Sequence, residues 1–195
     1  MWFYKRRWVR AISGGLVLCL LLSIGGVYGQ AEAVREEVVR LHILANSDST
    51  ADQTLKLQVR DAVTAAAANW RADTPAEARR LAQEQLAYIE EVARQTVRAA
   101  GCADAVAAEY TQLYFTTRQY GATTLPAGVY DAVQVTIGEG KGQNWWCVMY
   151  PPMCVGGAVA QDSLSPATQG EPYILRFKVV EWVESFLQLF RRKNF

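Results

Sequence analysis

Val39-Arg40-Leu41-His42-Ile43-Leu44-Ala45-Asn46-Ser47-Asp48-Ser49 carries a change of periodicity that decides the fold. Val39, Leu41 and Ile43 alternate with Arg40 and His42, and a period of two predicts a strand with one apolar face. With Leu41 and Ile43 turned to the core, His42, the single histidine of the chain, should face outward. Asn46 to Ser49 are turn and cap formers, and Ser49-x-x-Asp52 has capping-box spacing with an acid in place of the usual Glu or Gln. A helix should therefore begin near Thr50. Leu55, Val59, Ala62, Val63 and Ala66 then recur at steps of three and four, one apolar stripe with Lys56, Arg60 and Asp61 outside it.

Downstream, Asp73-Thr74-Pro75 breaks the helix and restarts it, since Thr74 can cap and Pro75 suits the first helical position. The second helix should run to about Gly101 and fold back on the first as an antiparallel hairpin. From Ala105 the composition shifts to Tyr, Thr, Val and Phe. Strands are expected at Tyr110–Thr117, Tyr130–Ile137 and Asn144–Tyr150, with turns at Gly121 and at Leu125-Pro126-Ala127-Gly128. Gly138-Glu139-Gly140-Lys141-Gly142 reads as a glycine-rich β-hairpin turn. The pattern predicts an α+β fold, an antiparallel sheet of about four strands packed against a helical hairpin.

Working outward to the ends, Lys5, Arg6, Arg7 and Arg10 precede an apolar run from Ala11 to Val27, the layout of a signal segment. The run is short for a bilayer span, which takes about 20 residues, and cleavage is expected after Ala31 or Ala33. Residues 1–31 are thus a signal peptide or signal anchor, 32–155 the α+β domain, 156–172 a linker and 173–195 an amphipathic tail. In that tail Phe177, Val180, Val183, Phe186, Leu187 and Phe190 form a stripe that ends at Arg191-Arg192-Lys193, suited either to docking on the domain or to a membrane surface. Without the four cations of the signal, 16 basic residues face 19 acidic ones, a net charge near −3 that argues against a nucleic-acid partner.

Catalytic patterns are weak. His42 has Asp48 and three downstream cysteines as conceivable partners, but no nucleophile motif surrounds Cys102, Cys147 or Cys154. Cys147 and Cys154 do not have zinc-ligand spacing, and no metal or cofactor is expected. They are close enough to bridge across Pro151-Pro152 after export; the alternative is a reduced, buried Cys147. Gly138–Gly142 lacks the Ser or Thr of a phosphate-binding loop. In Asn144-Trp145-Trp146-Cys147 a strand would send one tryptophan to each face, one into the core and one outward as a partner or sugar contact. A cell-wall hydrolase and a glycan-binding module therefore remain as alternatives.

Taken together, Arg40 to Ser49, Asp52-Gln53, Lys56 to Asp61, Arg118-Gln119-Tyr120-Gly121, Leu125 to Gly128 and Ile137 to Pro152 resemble the stage II sporulation protein R family of endospore formers. The resemblance implies a non-enzymatic signal made in the forespore and exported into the space between the two membranes. There it would trigger a membrane-embedded aspartic protease of the mother cell, which processes the pro-sigma-E factor. Among the matched residues, Arg118, Tyr120, Trp145 and Trp146 are the expected partner contacts, with Asn46, Asp48 and Glu139 behind them.

Overall fold

The computed structural model describes residues 2–120 and 123–151; the expected linker and tail lie outside them. A long helix, α1 (Trp2–Glu36), leads into β1 (Val39–Leu44). Then come α2 (Thr50–Ala67), α3 (Pro75–Glu84), α4 (Leu86–Ala99), β2 (Val106–Phe115), β3 (Arg118–Tyr120), β4 (Thr123–Leu125), β5 (Gly128–Ile137) and β6 (Asn144–Tyr150).

The expected caps form. Ser49 Oγ accepts from the Asp52 N–H at 3.1 Å and Thr74 Oγ1 from the Glu77 N–H at 3.2 Å, while Glu77 reaches back to the Asp73 N–H, satisfying donors that a helix start leaves open. The second expected helix is two, interrupted at Gln85, whose φ of −91° and ψ of 4° leave the helical range. Gly101, at φ 76°, ends α4 in the left-handed conformation glycine tolerates.

The main sheet has the order β2-β5-β1-β6. It is mixed rather than antiparallel, because β1 and β5 run parallel with Arg40 opposite Ala132, while β1–β6 and β2–β5 are antiparallel. This placement also corrects the hairpin expected at Gly138–Gly142. β1 lies between β5 and β6, so the glycine-rich segment crosses the end of β1 instead of joining neighbours.

Helices α2, α3 and α4 cover one face, where Leu41, Ile43, Val133, Val135, Ile137 and Met149 meet Leu55, Val59, Ile89 and Val97. The other face is covered too. β3 and β4 form a two-stranded ribbon in the stretch expected to be turns, and Leu125 packs with Phe115, Tyr130, Val148, Val34 and Val38 in a second core. The residues on the outward phase of β1 are consequently inside: Arg40 is fully buried and His42 only 5% exposed, against the expectation that His42 faces solvent. α1 runs unbroken past residue 31, and its last turns belong to this second layer, with Ala31, Val34 and Arg35 buried. Among the described residues no helix is long and apolar enough to cross a membrane; several side chains of the Ala11–Val27 run stand outside that description.

Candidate functional site

The seven expected contact residues fall into three places. Asn46, Asp48 and Glu139 lie where β1 and β5 end, in two loops joined by a dense set of hydrogen bonds. Asn46 Oδ1 accepts from the Glu139 N–H at 2.9 Å, Asp48 Oδ1 from the Gln143 N–H at 2.7 Å, and the Ala45 and Asn46 carbonyls from the Gly142 and Lys141 N–H groups. Gly138 has φ 58°, and a Cβ there would sit 2.3 Å from Asn46 Oδ1; at Gly142 it would sit 2.2 Å from the Ser47 carbonyl oxygen. The glycines thus allow the loops to touch.

Beneath them, Lys56 Nζ donates to the Gln143 carbonyl at 2.9 Å and to Gln53 Oε1 at 2.5 Å, and Gln53 Nε2 donates to the Ser47 carbonyl. Burial lowers the Lys56 pKa, and the Asp48 carboxylate opposes that shift. The carboxamide and carboxylate of Asn46 and Asp48 are therefore committed to backbone N–H groups, a structural task. Glu139 remains exposed at the tip, paired with Lys141 at 2.6 Å.

Trp145 lies on the helix-covered face, with the Arg60 guanidinium 4.5 Å from its ring centroid. Trp146 lies on the opposite face, stacked on His42 at 4.0 Å and meeting Phe115 edge-on. One tryptophan does reach each face, but both are half-buried, and neither is the open platform expected of an outward aromatic.

Arg118 and Tyr120 sit on the ribbon above that second face. Arg118 is exposed. Tyr120 accepts from Arg40 Nη2 at 2.7 Å and donates to the Trp146 carbonyl at 3.3 Å. Arg40 also donates through Nε to the Cys147 carbonyl at 2.9 Å, and its guanidinium lies 4.2 Å from the Phe115 centroid and 5.0 Å from that of Tyr130. Burial lowers the Arg40 pKa and raises that of Tyr120, whose rise Arg40 and Arg118 oppose.

His42 occupies the same layer. Gln134 Nε2 donates to Glu109 Oε1, which turns Gln134 Oε1 toward His42 Nδ1 at 3.1 Å, so Nδ1 carries the proton of the neutral ring. Among the described residues its Nε2 is buried with no partner in hydrogen-bond geometry. Burial holds the His42 pKa below its ordinary value, against smaller opposite effects of Gln134 and Asn144. Buried against Trp146, the imidazole is poorly placed to take a proton from a substrate. Cys147 is disulfide-bonded, while Cys102 is a free thiol; Cys154 lies outside the described residues. Among the described residues no cluster of His, Cys, Asp and Glu is placed to hold a metal ion.

The sequence does not mark Arg40 or Lys56 as organising residues. Their charges mark them as surface groups by type, and only the second layer and the loop contact give them buried roles.

These buried and clamped residues lie within a longer match. The sequence profile of stage II sporulation protein R matches residues 35–160. The chain belongs to the stage II sporulation protein R family. The family member of Bacillus subtilis (strain 168), stage II sporulation protein R, is 39% identical over 127 residues, covering 64% of this chain and 57% of that protein. The match thus spans a little over half the length of that curated relative. No solved structure matches the chain.

Proposed function

We propose that this family member is an exported, non-enzymatic signal. It crosses the forespore membrane, binds a membrane-embedded aspartic protease of the mother cell, and promotes processing of the pro-sigma-E factor. The observation that carries the reading is the engagement of the two residues a hydrolase would use: His42 is buried against Trp146 and Cys147 is in a disulfide. The family signature is largely spent on the loop clamp and the Arg40 assembly, which favours a rigid surface for recognition. Such a ligand activates only if it binds the active arrangement of the protease more tightly than the inactive one. The tail beyond residue 173 would add membrane-surface contact, and nucleic acid has no part.

The test is reconstitution in a non-sporulating host with the protease and the pro-sigma substrate, followed by gel mobility. Processing that depends on this chain and persists in His42→Ala is the expected result. Failure to process, with the chain exported and folded, would return a cell-wall hydrolase or glycan-binding module to the front.

A further inference from the structure

Among the described residues Arg40 is a guanidinium without a counter-ion. It is fully buried, none of the ion pairs among the described residues includes it, and its Nη1 has no hydrogen-bond partner. The groups that act on it electrostatically are Tyr120, Tyr130 and a second cation, Arg118. Aromatic faces, a carbonyl and a phenol soften the desolvation of such a charge but do not neutralise it. In a weakly polarisable layer its field reaches further than it would in water. The nearest outlet is the thin ribbon, where Tyr120 touches Arg40 and the Arg118 side chain stands exposed, in no hydrogen bond or ion pair among the described residues.

We propose that Arg118, with Tyr120 and Arg40 behind it, forms the docking point for an acidic side chain of a protein partner. The site rests on the signalling reading only for the identity of that partner. A carboxylate there would gain a two-pronged, charge-assisted contact with Arg118 and the attraction of Arg40 behind it. The charge count favours a peptide acid over a membrane or a nucleic acid. Polyanionic surfaces are bound by groups of several exposed cations, whereas Arg118 is the exposed cation on the described part of the ribbon. Arg40 thereby acts as a positioning residue that polarises the site from below.

The experiment titrates the full-length purified chain with a short peptide of alternating glutamate and glycine. Its glutamine counterpart, inorganic phosphate and phosphatidylglycerol vesicles serve as comparison ligands. Isothermal calorimetry gives the affinity, and NMR of the arginine Nε–H groups identifies the residue engaged. Saturable binding of the glutamate peptide is expected, with the Arg118 signal shifted, affinity reduced about tenfold or more in Arg118→Glu, and partial retention in Arg118→Lys. No binding of the peptide, binding unchanged in Arg118→Glu, or binding to phosphate or vesicles alone would overturn the proposal. Because the titration contains no protease, failure of the signalling reading leaves its outcome intact. Conversely, processing that proceeds normally with Arg118→Glu, after the peptide result is positive, would separate the acidic site from protease activation.

Discussion

Arg40 Nη2 donates to the Tyr120 phenolic oxygen at 2.7 Å, the polar tie through which the short β3–β4 ribbon grips the central strand of the sheet. Tyr120→Phe removes the acceptor and leaves a buried charged donor unsatisfied. A loss of about 1–3 kcal/mol in unfolding free energy is expected by urea denaturation. Arg40→Met, which removes the buried charge and keeps much of the volume, should cost less than Arg40→Ala, which also opens a cavity. The reverse order would contradict the close packing around the Arg40 side chain.

Gly138 and Asn46 are tested as a pair. Gly138→Ala places a methyl group against Asn46 Oδ1 at a φ that disfavours side chains, and should cost at least about 2 kcal/mol. Asn46→Ala loses the bond to the Glu139 N–H but also removes the obstructing oxygen. The double variant should therefore be less destabilised than the sum of the two, read as a coupling term in a double-mutant cycle. Simple additivity would mean that the loops do not meet as described.

His42 should make stability depend on pH. Its folded pKa lies below the unfolded value near 6.5, so the unfolded chain binds the proton first. The contribution of the neutral ring is fully present above about pH 6.5 and declines as pH falls toward the lower folded pKa. In thermal melts between pH 5 and 8, the wild type should lose stability on acidification more steeply than His42→Gln. Parallel profiles would refute the assignment.

The last turns of α1 should behave as part of the domain. Removal of residues 1–27 is expected to leave the urea midpoint nearly unchanged. Removal of residues 1–35 deletes buried Ala31 and Val34 together with Arg35, whose side chain lies against Gly128, and should cost about 3 kcal/mol or more. Equal midpoints for the two truncations would contradict the packing.

The legible and illegible parts of the fold differ in how local their causes are. β1, the Ser49 and Thr74 caps and the stripe of α2 depend on residues a few positions apart, and each was readable in the chain. The parallel β1–β5 pairing depends on residues distant in sequence, and no periodicity specifies it. The ribbon escaped because its strands are three residues each and border turn-forming glycine and proline. Without the ribbon, β1 reads as a one-sided strand and His42 as outward-facing. Trp145 and Trp146 were correctly sent to opposite faces, but their exposure depended on Arg60 from α2 and on the stack with His42. Asn46 and Asp48 lay in the recognised motif, yet residue type alone cannot tell a loop clamp from a contact surface.

The central position of β1 also constrains the order in which the molecule can assemble. The first strand made finds both its neighbours, β5 and β6, only near the end of the described chain. Closing such long loops carries an entropic cost that the early segments cannot offset alone. A chain threaded through a membrane N-terminus first would therefore emerge with its central strand unpaired and its hydrophobic residues uncovered. Folding would wait on the last strands, so for such a chain passage and collapse would be separate events in time.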